Sequence, residues 1–169
     1  MVLCVIMLNQ RTQLRKVDLV KHSVRTLTEI LNKEDHLALI PFSNFARIEL
    51  SLTKMTTNGK EKAIQKLSKL NPENATNIWD GLRVALDMVN NNPLCTRTNT
   101  SIILLSDGAE NVYPPQGTIK TLQSYILEHP LTATINTFGY GYDLDGKLLN
   151  EIAKCGSGCW SYIPDCSMV

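Results

Sequence analysis

Asp107 and Gly108 directly follow a short apolar run, residues 101–105, which is typical of a strand buried on both faces. In open α/β sheets, ligands bind outside the carboxyl ends of the strands, where the strand order reverses. A carboxylate at such a strand end is a candidate contact for a metal ion or another ligand. Asp-Gly is also a common turn pair, so the alternative is that Asp107 only caps a turn.

A hydroxyl group is expected at the same edge of the sheet. The loop 74–77 precedes a predicted helix and contains Thr76, and its position in the chain brings it to the rim on which Asp107 lies. Two further predicted strands end on this rim, after Leu8 and near 139–142. Hydroxyl and carboxylate oxygens, supplemented by water, are ligands that Mg²⁺ accepts.

Other patterns of reactive residues do not support an enzyme. Asp143 and Asp145 resemble the aspartate pair of haloacid-dehalogenase-like phosphatases, but only residues 147–169 follow Gly146, too few for that fold. The pattern instead predicts a helix that Asp145 caps. The chain contains no phosphate-binding loop, dinucleotide fingerprint or nucleophile elbow. We therefore predict a protein without catalytic residues.

Composition excludes several other classes. The net charge of +1 and the pI near 7.6 give no electrostatic basis for binding nucleic acid. No apolar run approaches the roughly 20 residues that a membrane helix needs, so membrane insertion is not expected. The five cysteines are an odd number, and no secretion signal precedes them. Reduced thiols and an intracellular, cytoplasmic location are the expectation.

The elements that must position the candidate site alternate between strands and helices. Helices between strands imply a mostly parallel sheet. The period-two alternation in 45–52 after a short turn predicts one antiparallel edge strand. The predicted strands are 2–8, 36–42, 45–52, 101–105, 133–138 and 159–163, and the predicted helices are 17–31, 60–70, 78–89, 118–127 and 144–153.

These elements predict an α/β fold with a doubly wound, mostly parallel six-stranded sheet and helices on both faces. Residues 1–169 contain no internal repeat or linker, which indicates a single domain. Because the chain starts within a core strand and stops abruptly at Val169, we expect it to be one domain of a longer protein or a truncated gene product.

Five blocks of sequence resemble the von Willebrand factor type A (vWA) family in order and spacing. They are VDLVKHSV at 17–24, ALIPFSNFARI at 38–48, ATNIWDGL at 75–82, ILLSDGAEN at 103–111 and NTFGYGYDLDGKLLNEIA at 136–153. The resemblance implies a Rossmann-like fold and a protein-binding role. The sequence of these blocks is more similar to that of eukaryotic intracellular members, some of them attached to ubiquitin-ligase modules, than to that of secreted adhesive members.

Family members usually carry a metal-ion-dependent adhesion site (MIDAS), and this sequence matches it only in part. Thr76 and Asp107 correspond to the threonine and the aspartate of the family motif. The opening Asp-x-Ser-x-Ser motif is replaced by Met7, Asn9 and Arg11. An altered or mispredicted start of the gene product is an alternative explanation for this difference.

The replacement weakens the expected metal site. A thioether is a poor ligand for a hard cation, whereas the amide oxygen of Asn9 can still contribute. Arg11 adds a permanent positive charge and either reaches Asp107 or stays in solvent. No cofactor is therefore expected, and Mg²⁺ binding through Thr76, Asp107 and Asn9 would be weak or absent.

The resemblance implies a non-catalytic protein-interaction module that binds its partner on the upper rim. An acidic residue of the partner would meet the rim, as acidic groups complete the metal shell in the family. The alternative is an Mg²⁺-dependent adhesion or scaffold domain with weak cation binding, in a ubiquitin-ligase-type protein. The predicted partner-binding residues are Asn9, Arg11, Thr76, Asn77, Asp107, Gly108 and Tyr142.

Overall fold

The computed structural model of the protein describes residues 1–8, 14–70, 75–141 and 144–163. Strands and helices alternate through most of this sequence. In chain order the elements are β1 (Val2–Leu8), α1 (Leu14–Ile30), β2 (His36–Phe42), β3 (Leu50–Lys54), α2 (Thr57–Ser68), α3 (Ile78–Asn90), α4 (Pro93–Arg97), β4 (Thr100–Ser106), α5 (Thr118–Glu128), β5 (Ala133–Tyr140), α6 (Gly146–Cys155) and β6 (Trp160–Ile163).

The six strands form one sheet in the order β3-β2-β1-β4-β5-β6. All neighbouring strands are parallel except β3, which pairs antiparallel with β2 at the edge. The predicted α/β fold, with a mostly parallel sheet and one antiparallel edge strand, is therefore confirmed.

The central strands β1, β2 and β4 bury their two faces against different helices. Along β1, Cys4 and Ile6 belong to one apolar cluster, whereas Val5 and Met7 belong to the other. The first cluster includes side chains of α3, α4, α5 and α6, and the second includes side chains of α1 and α2. Because successive side chains of a strand point to opposite faces, the run 2–7 has to be apolar at every position.

Several elements differ from the prediction. The short helix α4 was not predicted. Pro93 is an early helical residue, and the Asn92 side chain accepts a hydrogen bond from the Leu94 N–H at 3.0 Å. Strand β3 starts only at Leu50, because Ala46 makes just an isolated bridge to Phe42. Helix α1 begins at Leu14, earlier than predicted.

The strand order reverses between β1 and β4, which are neighbours in the sheet. The chain runs outward from β1 to β2 and β3 on one side, and from β4 to β5 and β6 on the other. Ligands of doubly wound sheets bind at such a switch point, beyond the carboxyl ends of the strands. Asp107 directly follows β4 and thus lies beside this point. We call this edge of the sheet the crest.

No helix in the part of the chain that the structure describes is long and apolar enough to cross a membrane.

Candidate functional site

Hydrogen bonds join three separate segments at the crest. The segments are the β2–β3 loop (residues 43–49), the stretch that leads into α3 (residues 75–77) and the β4–α5 loop (residues 107–117). The segment 75–77 forms hydrogen bonds with both of the other segments. Residues more than 30 positions apart in the chain are therefore held next to each other.

Thr76 fixes the β4–α5 loop through its backbone. Its N–H donates to the side-chain oxygen Oδ1 of Asn111 at 2.9 Å. Its carbonyl oxygen accepts hydrogen bonds from the N–H groups of Asn111 and Val112, at 3.2 and 3.3 Å. The side chain of Thr76 is fully buried. Thr76 is thus held by several contacts rather than lying on an open loop.

Asn77 fixes the β2–β3 loop and also starts helix α3. Its backbone N–H donates to the Ser43 carbonyl at 2.8 Å, and its Nδ2 donates to the Asn44 carbonyl at 3.0 Å. Its Oδ1 accepts from the Asp80 N–H at 3.0 Å and thereby caps helix α3. The Asn77 side chain therefore holds the start of α3 and the β2–β3 loop in a fixed relative position.

Asp80 adds a second contact between α3 and the β2–β3 loop. Its Oδ2 accepts a hydrogen bond from the Ala46 N–H at 2.6 Å, and its Oδ1 pairs with Arg83 at 2.7 Å. As an acidic residue in the first turn of α3, Asp80 interacts favourably with the helix N-terminus. The structure shows that it also holds the loop.

Asp107 and Gly108 lie where β4 enters its loop. Asp107 is 5% exposed, and the hydroxyl of the buried Ser106 donates to the Gly108 carbonyl at 3.2 Å. Thr76 and Asp107 both lie at the crest, as predicted from the sequence. Their part in binding a partner or an ion stays a prediction.

Glu110 is a crest residue that the sequence analysis missed. Its carboxylate accepts hydrogen bonds from the Thr118 hydroxyl and from the backbone of Trp79 in the first turn of α3. Burial raises the pKa of Glu110 above its ordinary value, the two hydrogen bonds lower it, and the nearby Asp145 carboxylate raises it. Sequence spacing gave no signal for Glu110, because its partners come from two other elements.

Met7 stands at the first position of the altered MIDAS motif. It is 1% exposed and packs in the apolar cluster that α1 and α2 cover. A thioether in this position adds no oxygen ligand to the crest.

Three of the predicted site residues, Asn9, Arg11 and Tyr142, lie outside the residues that the structure describes. The proposed contact between Arg11 and Asp107 is therefore untested. Among the predicted residues that the structure describes, Thr76, Asn77, Asp107 and Gly108 all lie at the crest.

Two of the described crest side chains carry oxygen atoms of the kind that a metal ion accepts. Thr76 and Asp107 carry a hydroxyl and a carboxylate, whereas Mg²⁺ takes about six oxygen ligands in near-octahedral geometry. Within the described residues, no group of three or more His, Cys, Asp or Glu side chains is placed to hold a metal ion.

The sheet order, the antiparallel edge strand and the loops at the switch point define an α/β protein of the doubly wound class. The family model of the von Willebrand factor type A domain matches residues 6–110, which is more than half of the chain. The chain belongs to the von Willebrand factor type A family.

A curated relative in sequence is the uncharacterized protein YfbK of Escherichia coli (strain K12). It is 25% identical over 150 residues, which are 88% of this chain and 25% of the relative. The chain thus spans about a quarter of the length of that protein.

Solved structures show the same fold. A von Willebrand factor type A protein from Catenulispora acidiphila has a TM-score of 0.85 at 20% identity, covering 96% of this chain and 38% of its own. The ArnB paralog VWA2 from Sulfolobus acidocaldarius has a TM-score of 0.76 at 20% identity, covering 99% and 42%. Proximal thread matrix protein 1 from the mussel byssus, with a zinc-occupied MIDAS motif, has a TM-score of 0.75 at 18% identity, covering 95% and 41%.

Proposed function

We propose that this domain is a non-catalytic protein-interaction module that binds its partner at the crest with little or no help from a metal ion. Membership of the von Willebrand factor type A family supports the general role, because this is a family of interaction and adhesion modules. The docking surface includes Asn77 and Gly108, and the buried Thr76 and Asp107 support this surface rather than forming it. Asn9, Arg11 and Tyr142 belong to the proposal through the sequence alone.

The observation that carries the proposal is the convergence of three segments around Thr76 and Asn77. Their hydrogen bonds fix the crest before any partner arrives. A surface that is already ordered loses little conformational entropy on binding, which favours specific association.

The loss of oxygen ligands supports a reduced role for the metal. Met7 is packed in the core, and the described donors are too few for a tight site. We propose that an acidic group of the partner meets the crest directly through the guanidinium of Arg11, a charge-assisted contact that needs no ion. The domain is proposed to act inside the cell, where its cysteines stay reduced.

A second candidate function is an Mg²⁺-dependent adhesion or scaffold domain in which Asn9, Thr76 and Asp107 retain weak cation binding. The structural neighbour from the mussel byssus favours this alternative, since that protein has a zinc-occupied MIDAS motif. The two functions differ in whether the partner still binds when divalent cations are removed.

Quantitative affinity capture tests the proposal. The immobilised wild-type domain and the variants Asp107→Ala, Arg11→Ala and Leu127→Ser would be incubated with cell extract, with and without EDTA, and bound proteins quantified by mass spectrometry. Leu127 is an exposed residue of α5 and serves as the matched surface control.

We expect a set of proteins that both crest substitutions reduce, that Leu127→Ser leaves unchanged and that EDTA does not release. Release of the whole set by EDTA would support the metal-dependent alternative. Identical capture by wild type and both crest variants would contradict docking at the crest. Turnover of any substrate that a crest substitution abolishes would contradict the non-catalytic assignment.

A further inference from the structure

Two loops of the crest expose large apolar side chains. The β2–β3 loop exposes Phe45 and Ile48, and the β4–α5 loop exposes Val112 and Tyr113. These four are half of the eight large hydrophobic residues that the described part of the chain exposes. Phe45 is 78% exposed and Tyr113 is 65% exposed. Aromatic side chains dominate the binding energy of many protein interfaces, so their concentration at the crest indicates a docking role.

The backbone around Phe45 is fixed although its ring is exposed. The Ser43 N–H donates to the Phe45 carbonyl at 3.2 Å. The next residue, Ala46, donates its N–H to the Asp80 carboxylate at 2.6 Å. The ring is therefore presented from a loop that is hydrogen-bonded on both sides of it.

The backbone around Tyr113 is restricted in a similar way. The preceding residue, Val112, donates its N–H to the Thr76 carbonyl at 3.3 Å. The following residue is Pro114, and a proline restricts the backbone conformation of the residue before it. A side chain on a fixed backbone loses less freedom when a partner covers it.

Three asparagines that reach the surface, Asn44, Asn77 and Asn111, lie between the two aromatic side chains along these contacts, and we call them the polar strip. Asn77 donates to the carbonyl of Asn44, the residue before Phe45, and the N–H of the buried Thr76 donates to the side chain of Asn111, two residues before Tyr113. The N-terminus of α3 therefore lies between the two loops, with Phe45 on one side and Tyr113 on the other.

We propose that Phe45 and Tyr113 are the two apolar anchors of the crest, and that they bind a protein segment with one apolar side chain for each anchor and polar groups between them. This inference rests on the proposed function, since it takes the crest as the docking surface. It adds the chemistry of the partner and the two residues that hold it.

The arrangement fits a polypeptide better than a membrane. A polypeptide carries apolar side chains at intervals with polar backbone between them, which matches two apolar points and a polar strip.

A random linear peptide library displayed on phage and selected on the immobilised domain tests the inference. The enriched peptide would be synthesised, and its dissociation constant measured for the wild type, Phe45→Ser and Tyr113→Ser. Ile30→Ser and Leu127→Ser are matched controls, because they remove exposed apolar side chains of α1 and α5. Circular dichroism would verify that every variant is folded.

We expect enriched peptides with two apolar residues, and an affinity at least about tenfold lower for each crest variant but unchanged for both controls. A peptide that Asp107→Ala weakens while Phe45→Ser and Tyr113→Ser do not would overturn the inference and leave the proposed function intact. A peptide unaffected by all three crest substitutions would overturn both. Dimerisation of the domain that Phe45→Ser abolishes would also overturn the inference, because a second copy would then occupy the anchors.

Discussion

Glu110 shows how a single charged side chain can connect the elements of the crest. Its carboxylate contacts α3 through the backbone of Trp79 and the start of α5 through Thr118. Burial makes ionisation less favourable there, and the two hydrogen bonds compensate only in part, so that the pKa stays raised. The protonation state of Glu110 is therefore linked to the contacts that this carboxylate makes with α3 and α5.

The raised pKa of Glu110 predicts a dependence of stability on pH. The folded protein binds this proton more tightly than the unfolded chain does, so the stabilisation is complete below the ordinary value of 4.5 and is lost as pH rises through the raised pKa. We expect the free energy of unfolding of the wild type to fall relative to that of Glu110→Gln over this range.

Denaturant unfolding at several pH values, from below 4.5 to neutral, would measure this difference. Glu61→Gln, a substitution of an exposed residue in α2, is the control for the loss of one carboxylate. A wild type that gains stability relative to Glu110→Gln as the pH rises would contradict the assignment.

The sequence was informative about individual residues wherever strand ends or motif positions marked them. Thr76, Asn77 and Asp107 were identified because a strand end, a helix start and the family motif coincide with them. Glu110 and Asn111 were missed. Asn111 accepts a hydrogen bond from Thr76, 35 positions away, and Glu110 contacts two other elements through Trp79 and Thr118. Such contacts follow from loop conformation, which no short sequence pattern encodes.

At the scale of elements, helix α3 positions the crest because it packs closely on the sheet. Gly81 faces β1 and β2, and a Cβ atom added there would lie 2.8 Å from Ile6 Cγ2 and 3.2 Å from Phe42 Cγ. Ile6 and Phe42 are buried, so neither can move aside easily. The glycine thus allows α3 to approach the sheet and to place Asn77 against the β2–β3 loop.

Gly81→Ala should therefore destabilise the domain even though alanine favours helix formation by about 1 kcal/mol. Overpacking a close contact costs about 1–3 kcal/mol, which outweighs the helix propensity. Denaturant unfolding measures the net change. Gly146→Ala in α6 is the matched control, because its Cβ would come no closer than 3.4 Å to Leu144 or Trp160, and we expect it to be neutral.

If Gly81→Ala proved as stable as or more stable than the wild type, the packing of α3 would not be as tight as the contacts indicate. The affinity for the selected peptide gives a second measure, since a displaced α3 would shift Asn77 and weaken binding at the crest.

Elements with many apolar contacts were predictable, whereas those at the margins were not. The apolar runs of β1, β2 and β4 predicted these strands correctly, because both faces of each strand are buried. Strand β3 has one neighbour, and its alternating pattern continued into the loop before Leu50, so its start was wrong. Helix α4 is only five residues long and shows no periodicity.

At the scale of the whole molecule, the fold provides a six-stranded sheet, and we propose that the loops at one edge of it provide the binding function. The doubly wound topology could be predicted because the strands and helices alternate along the chain. The distribution of exposed aromatic residues over the crest could not, because the exposure of Phe45 and Tyr113 depends on which loops pack against α3. Fold and surface chemistry are thus encoded in different parts of the sequence.

We propose that this domain of the von Willebrand factor type A family docks its partners on a crest that keeps only part of the family's metal ligands. Thr76 and Asp107 keep two of the expected oxygens, and Met7 has replaced another with a buried thioether. Residual binding of a divalent cation would then be weak, because water and at most one amide would have to supply the remaining ligands.

Calorimetric titration of the domain with Mg²⁺ and Mn²⁺ is the most direct test of this claim. We predict no binding in the micromolar range for the wild type, and titration curves that Asp107→Ala leaves unchanged. Micromolar binding of either ion that is lost in Asp107→Ala would contradict the account.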